Sequence, residues 1–107
     1  MQSKNIQFPN DDGQALSAIL DLPGTEPVAW AIFAHCFTCS KDLKAATNIS
    51  RALADAGVAV MRFDFTGLGK SEGSFEDTTF STNVADLVAA ATWLEQEHRA
   101  PEILVGH

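Results

Sequence analysis

The chain has 107 residues, 46% of them hydrophobic, and its fourteen acidic and seven basic side chains give a net charge of −7. This composition is typical of one folded domain, and the acidic excess disfavours nucleic acid and anionic membranes as partners, because both need clustered positive charge. No apolar run reaches the roughly 20 residues of a membrane-spanning helix and the N-terminus lacks a signal-peptide core, so the sequence predicts a cytoplasmic protein without membrane contact.

Strand patterns occupy the first third of the chain. Residues 6–8 alternate between apolar and polar, a dense turn signal follows, and residues 15–22 alternate again. This pattern predicts an antiparallel hairpin. Residues 28–34 are continuously apolar, which is typical of a strand buried on both faces in a parallel sheet covered by helices.

A helix and a further strand are predicted next. Ser40 is a plausible N-terminal cap, and Gly57 supplies a C-terminal cap. The apolar residues at helical spacing, which predict the inner face of this helix, are Leu43, Ala46, Ile49, Leu53 and Ala56. Residues 58–65 then predict a second buried strand, completing a βαβ unit.

A long loop, a second helix and a last strand complete the predicted elements. Residues 66–82 are rich in glycine and serine, and a loop of this length inside a compact domain is usually functional. Asn83 is predicted to cap the second helix, with Asp86 in its first turn. Residues 102–105 predict the last strand. The predicted inner face of the second helix consists of Val84, Leu87, Val88, Ala91 and Leu94.

The predicted order β, β, β, α, β, α, β indicates an α/β fold. Two antiparallel leading strands precede βαβαβ in a mostly parallel sheet with helices on both faces. Ligands of such sheets bind at the carboxyl ends of the strands. Three unusual segments lie at the ends of predicted strands, namely residues 35–39, 64–73 and 106–107. The three segments are therefore expected to meet at one edge of the sheet and form a functional site.

The segment after the third strand contains a Cys-x-x-Cys motif. Cys36 and Cys39 lie between a buried strand and a helix start, the arrangement that lowers the thiol pKa in thioredoxin-like proteins. A thiol redox protein is therefore an alternative hypothesis. A zinc site would use His35 with both cysteines, but no fourth ligand is obvious. Both cysteines are also able to pack as small apolar side chains, and no metal is predicted.

The glycine-rich segment 64–73 departs from both common phosphate-binding motifs. Asp64 stands where a P-loop has its first glycine, and Glu72 stands where the dinucleotide fingerprint has its third. No nucleotide or other cofactor is therefore predicted. The glycines are expected to take positive φ angles in a connection rich in turns.

Three segments of the chain together resemble the α/β-hydrolase superfamily. They are residues 33–42, 62–73 and 104–107, and they are similar in particular to bacterial hydrolases fused to an OsmC-like domain. The resemblance implies a serine hydrolase of the esterase, thioesterase or acyl-hydrolase type. Its partners would be a small-molecule acyl substrate and a possible C-terminal OsmC-like domain. A non-catalytic binding domain on the same scaffold remains a further alternative.

The resemblance also implies roles for individual residues. His35 matches the histidine of the family's His-Gly loop, Cys36 stands where many members have glycine, and the backbone N–H of Phe37 matches an oxyanion-hole donor. Gly106 and His107 match the two residues before the nucleophilic serine. The loop residues that would shape the site are Asp64, Gly67, Gly69, Ser71 and Gly73.

The expected organisation is one incomplete hydrolase domain over residues 1–107, the N-terminal part of the fold, cut before the nucleophile elbow. The triad residues are expected outside these residues, so the chain alone is expected to be inactive. Its last strand is expected to form an exposed apolar edge of the sheet, which favours association.

Overall fold

The computed structural model describes residues 1–34, 44–68, 70–74 and 80–106. The predicted order of elements is confirmed, and the fold is α/β. The elements in chain order are β1 (Gln2–Pro9), β2 (Ala15–Leu22), β3 (Ala29–Ala34), α1 (Lys44–Asp55), β4 (Val58–Phe63), α2 (Phe80–Glu97) and β5 (Ile103–Gly106).

All strands belong to one five-stranded sheet with the order β1-β2-β4-β3-β5. β1 and β2 form the predicted antiparallel hairpin, and β2 also pairs antiparallel with β4. β3 is parallel to β4 on one side and to β5 on the other. The antiparallel strands followed by a parallel βαβαβ unit confirm the predicted fold class.

The two helices cover opposite faces of this sheet. Alternate residues of β3 point to opposite sides, so Ile32 packs in the cluster under α2 while Phe33 packs in the cluster under α1. In β4, Met61 likewise packs in the cluster under α2, and Val60 packs in the cluster under α1. The continuous apolar runs of both strands are explained by this double burial, as predicted.

The inner face of α1 differs from the predicted stripe. Ile49 and Ala56 are exposed, whereas Ser50 and Ala54 are buried together with Ala46. Ser50 faces the sheet because its hydroxyl donates a hydrogen bond to the buried carboxylate of Asp21 on β2, a contact that an apolar periodicity does not reveal. The predicted positions Ser40 and Leu43 lie outside the described residues.

The Gly57 cap predicted after α1 is confirmed. The backbone N–H of Gly57 donates to the carbonyl oxygen of Ala54, and Gly57 has a φ of 97°. A residue with a side chain rarely adopts this left-handed conformation, which is why glycine is favoured where a helix ends in this way.

The second helix is also longer and differently oriented than predicted. It begins at Phe80, so Asn83 lies inside the helix instead of capping it. Val84 and Val88 are exposed, at 42% and 59%, whereas Asp86 is only 1% exposed. The inner face of α2 therefore includes a carboxylate, and the two valines line a groove of about 320 Å³ between α2 and β5.

β5 forms an edge of the sheet, and its apolar side chains are accessible. Ile103 and Leu104 are both exposed, the latter at 64%, and both line the same groove as the two valines of α2. The predicted exposed apolar edge is confirmed. Among the described residues, no helix is long and apolar enough to cross a membrane.

Candidate functional site

The chain crosses the sheet in opposite directions in its two connections between parallel strands. From β3 it passes through α1 to β4 on one side, and from β4 it passes through α2 to β5 on the other side. The segments that follow β3 and β4 thus lead to opposite faces of the sheet. In parallel sheets, this divergence opens a crevice at the carboxyl ends of the strands, where ligands bind.

Two predicted site segments begin side by side at this crevice. Ala34, the last residue of β3, pairs with Gly106, the last residue of β5. The segments that continue from these two residues therefore start next to each other. The predicted site residues His35, Cys36, Phe37, Gly69 and His107 lie outside the described residues, as does Cys39 of the alternative redox site. Their assigned roles remain predictions.

The loop after β4 begins where the site is predicted, and hydrogen bonds of Asp64 close this loop. The carboxylate oxygen Oδ2 of Asp64 accepts a hydrogen bond from the backbone N–H of Lys70 at 3.1 Å. Its carbonyl oxygen accepts a second from the hydroxyl of Ser71. Asp64 is fully buried, and its backbone N–H donates to the carbonyl oxygen of Ser17 on β2 at 2.9 Å. The loop is therefore closed on itself at its first residue.

The same loop then returns along β2. Ser71 Oγ accepts a hydrogen bond from the backbone N–H of Ser17 at 2.9 Å, and Glu72 Oε1 accepts one from the backbone N–H of Ala15 at 2.7 Å. The backbone N–H of Glu72 donates to the carbonyl oxygen of Ala15 at 2.9 Å. The structure thus brings Asp64 and Ser71 together, and the hydroxyl proton of Ser71 is engaged in holding the loop.

Two of the predicted loop glycines have the conformation that requires glycine. Gly67 has a φ of 80° and Gly73 a φ of 96°, both in the left-handed region. A Cβ atom on Gly73 would also lie 2.5 Å from Cγ2 of Thr66. The expected positive φ angles are confirmed at these two positions, and Gly73 additionally allows the loop to pass close to Thr66.

Sequence reasoning missed the residues that anchor this loop to α2. Thr66 donates its backbone N–H to Asp86 Oδ2 at 2.8 Å and its hydroxyl to the same carboxylate, with Oγ1 lying 2.8 Å and 2.9 Å from its two oxygens. Asn10, in the turn after β1, donates from Nδ2 to Thr66 Oγ1 at 3.1 Å. The sequence feature that could have indicated this contact was the carboxylate of Asp86 among the apolar residues of the second helix.

The charge state of Asp86 reflects this environment. Burial raises the pKa of the Asp86 carboxyl above its ordinary value, and the hydrogen bonds from Thr66 offset only part of that rise. The negative charges of Asp11 and Asp12 add to the rise. Keeping the Asp86 carboxylate ionised next to Thr66 therefore costs electrostatic free energy.

A second buried carboxylate, also missed, lies on the opposite face. Asp21 on β2 accepts a hydrogen bond from Arg62 Nε at 2.9 Å, and both side chains are buried. Ser3 and Ser50 donate to the same carboxylate. Burial opposes ionisation of Asp21, but these hydrogen bonds outweigh it, so the pKa of Asp21 lies below its ordinary value.

Asp21 and Asp86 belong to no group of possible metal ligands among the described residues. Within the part of the chain that the structure describes, no group of three or more His, Cys, Asp or Glu side chains is able to hold a metal ion. The zinc hypothesis concerned His35, Cys36 and Cys39, which lie outside the described residues.

Solved structures show which fold this arrangement belongs to. No protein-family model and no curated protein matches the chain. Against the esterase domain of a Rhodothermus marinus protein, all of the chain aligns at 53% identity with a TM-score of 0.78. The chain is part of an α/β-hydrolase fold. It spans 40% of the length of that esterase domain.

Further hydrolases agree with this assignment. Est1E from Butyrivibrio proteoclasticus, solved with ferulic acid bound, is 30% identical over 95% of the chain, which spans 42% of Est1E, with a TM-score of 0.86. XC6422 from Xanthomonas campestris, an α/β serine hydrolase without a lid, is 28% identical over 99% of the chain, which spans 50% of it, with a TM-score of 0.80. The chain is therefore homologous to esterases over about 40% of their length.

Proposed function

We propose that the protein containing this chain is a serine hydrolase that cleaves esters or thioesters of small acyl groups through a Ser-His-acid triad. The observation that carries the proposal is the 53% identity to an esterase domain over the whole chain. Within this proposal, the 107 residues supply the scaffold and one wall of the active site. The nucleophile, the acid and the catalytic histidine lie elsewhere in the protein.

The pairing of β3 with β5 supports the proposed arrangement of the active site. The backbone N–H of Phe37, shortly after β3, is the proposed oxyanion-hole donor, and Gly106 and His107 lead from β5 to the proposed nucleophile. Because Ala34 and Gly106 pair in the sheet, the two segments continue from neighbouring residues. An N–H placed there would stabilise the negative charge that develops on the carbonyl oxygen during acyl transfer.

The proposed substrates are esters with a small acyl group, aromatic or aliphatic. Est1E was solved with ferulic acid, a small aromatic acid, in complex. The homology of the present chain to Est1E supports an acyl substrate of similar size. The choice among esters and thioesters depends on residues outside this part of the fold.

A hybrid esterase tests the proposed function. The segment of the Rhodothermus marinus esterase domain that aligns with this chain is replaced by residues 1–107, and hydrolysis of p-nitrophenyl acetate is measured. We expect the hybrid to hydrolyse the ester and to be labelled by a fluorophosphonate probe, whereas the 107-residue chain alone does neither. A folded hybrid without activity, or labelling of the isolated chain, would contradict the proposal.

The role of Phe37 is tested in the same hybrid. Proline at this position has no backbone N–H, so Phe37→Pro is expected to lower kcat by about 10²- to 10³-fold. Phe37→Leu keeps the N–H and serves as the matched control, with kcat close to that of the parent hybrid. Equal activity of the two variants would remove Phe37 from the oxyanion hole.

The setting of the complete protein is a further part of the proposal. The motifs at residues 33–42 support an OsmC-like domain joined to the hydrolase, and we propose a cytoplasmic location on the acidic composition alone. Intact-mass measurement of the protein from its source cells, after cell fractionation, tests both points. A mass that accounts for a hydrolase domain alone would exclude the fusion.

A further inference from the structure

Thr66 is the point at which three separate segments meet. Its backbone N–H and hydroxyl bind the Asp86 carboxylate of α2, and Asn10 from the turn after β1 donates to its hydroxyl oxygen. Gly73, where the loop returns, leaves room for the methyl group of Thr66. We call Asn10, Thr66 and Asp86 the Thr66 latch.

The side chains of the Thr66 latch form a chain of hydrogen bonds in which Asn10 donates to Thr66 and Thr66 donates to Asp86. Asn10 Oδ1 accepts from the backbone N–H groups of Asp12 and Gln14, which fixes the orientation of its amide. Its Nδ2 then donates to Thr66 Oγ1, and the Thr66 hydroxyl in turn donates to Asp86. A buried carboxylate that accepts such bonds interacts more strongly than it would in water, because the local dielectric constant is low.

The position of Thr66 in the chain determines which part of the protein the latch holds in place. Thr66 lies between Asp64, which closes the loop at the carboxyl end of β4, and Gly67, whose backbone N–H donates to the carbonyl oxygen of Glu72 at 2.9 Å. The crevice of the proposed site is expected at the carboxyl ends of the parallel strands, which include β4. A displacement of Thr66 would therefore move the wall of the crevice and leave the sheet itself in place.

We propose that Asp86 is a positioning residue of the hydrolase, which holds the described parts of the loop after β4, residues 64–68 and 70–74, against the crevice through Thr66. The inference rests on the proposed function and extends it to a residue on the far side of the loop. Asp86 acts on the geometry of the wall and contacts the loop rather than the reacting atoms. Small displacements of such walls affect the rate of the chemical step more than the binding of substrate.

The buried aspartate on the opposite face of the sheet, Asp21, offers a matched control. The carboxylate of Asp21 is bound by Ser3 of β1, Ser50 of α1 and Arg62 of β4, which belong to helices and strands. Loss of the Ser50 hydroxyl therefore loosens the packing of α1 on the sheet. It should lower the melting temperature without moving the wall of the crevice.

The test uses the hybrid esterase with the variants Thr66→Val, Thr66→Ser, Asp86→Asn and Ser50→Ala. Thr66→Val removes the hydroxyl at nearly constant shape and is expected to lower kcat about tenfold with KM within about twofold. Thr66→Ser retains the hydroxyl and should keep kcat near the parent value. Asp86→Asn should resemble Thr66→Val, and Ser50→Ala should lower only the melting temperature.

Amide hydrogen exchange provides a readout that does not depend on catalysis. The backbone N–H groups of Gly67 and Lys70 are hydrogen-bonded within the loop. They should exchange faster in Thr66→Val than in the parent hybrid and remain protected in Ser50→Ala.

Several outcomes would overturn the inference. These are unchanged kcat in a folded Thr66→Val, an equal loss of kcat in Thr66→Ser, or unchanged protection of the loop in Thr66→Val. An inactive parent hybrid would refute the proposed function alone, and the exchange measurement would still decide whether the latch holds the loop. If Asp86→Asn does not fold, the Thr66→Val and Thr66→Ser pair decides the matter.

Discussion

Asp21 and Asp86 are buried on opposite faces of the sheet, and they are held by different kinds of partner. Asp21, under α1, binds the guanidinium group of Arg62, whereas Asp86, on α2, binds the neutral backbone and hydroxyl groups of Thr66. Both carboxylates are almost completely inaccessible. Their pKa values nevertheless move in opposite directions, down for Asp21 and up for Asp86.

The difference shows what each interaction contributes. The guanidinium group of Arg62 and the hydroxyls of Ser3 and Ser50 compensate for the loss of water around Asp21. The interactions of the Asp21 carboxylate therefore join β1, α1, β2 and β4 while the carboxylate stays ionised. Neutral donors compensate less well around Asp86. The Asp86 interaction connects α2 to the loop that begins at the carboxyl end of β4, and this position is the basis of the proposed positioning role.

The largest expected effect comes from Asp21→Asn. Removing the carboxylate leaves the buried Arg62 without this counter-charge, so the free energy of unfolding should fall by about 3–5 kcal/mol in urea titrations of the chain. The double variant Asp21→Leu/Arg62→Met removes both charges and should recover most of the loss. A single substitution that costs less than about 1 kcal/mol would show that the ion pair is not needed for stability.

The next largest effect is expected at the loop that the Thr66 latch holds. Gly73→Ala combines a φ of 96° with a Cβ atom 2.5 Å from Thr66 Cγ2. We expect it to lower the free energy of unfolding by about 3 kcal/mol. Gly13→Ala is the matched control, because Gly13 has a φ of 78° but no neighbouring atom within 4 Å of the added Cβ. Gly13→Ala should lower the free energy of unfolding by about 1 kcal/mol, because only the backbone conformation is unfavourable for alanine there.

The pH dependence of stability should separate the two aspartates. The lowered pKa of Asp21 contributes stability above the unfolded-state value of about 3.9, and this contribution disappears as the pH falls through the folded-state value. The raised pKa of Asp86 acts in the opposite sense, because the folded protein binds its proton more readily than the unfolded chain. Its contribution therefore decreases as the pH rises from the unfolded-state value through the raised folded-state value.

Urea titrations at a series of pH values check this sign. Asp86→Asn should flatten the decline of stability just above the unfolded-state value of about 3.9, and Asp21→Asn should flatten the loss at lower pH. The same change in both variants would mean that the two carboxyls do not titrate separately.

The smallest effect is expected from the exposed ion pair. Arg99 Nη2 lies 3.0 Å from Glu102 Oε1, and the two side chains are 48% and 56% exposed. Water screens this pair, so Arg99→Ala should change the free energy of unfolding by less than about 0.5 kcal/mol. A double-mutant cycle with Glu102→Ala measures the interaction, and a coupling energy near that expected for Asp21 and Arg62 would contradict the distinction drawn from burial.

The sequence by itself determined the order of the elements, the double burial of β3 and β4 and the cap at Gly57. These features follow from local patterns, since apolar periodicity and glycine conformation act over a few neighbouring residues. The predicted inner stripes of the helices were less accurate. Ile49 and Val88 are exposed, and Ser50 and Asp86 are buried in their place.

Only the tertiary structure decided which polar side chains are buried. Asp21 and Arg62 are 41 residues apart in the chain, and Thr66 and Asp86 are 20 apart. Burying a polar group is costly unless a partner compensates for the lost water, and the partner is brought close only by the fold. A local pattern therefore assigns such a residue to the surface or to a helix end, as happened with Asp86, until the strands and helices have been assembled.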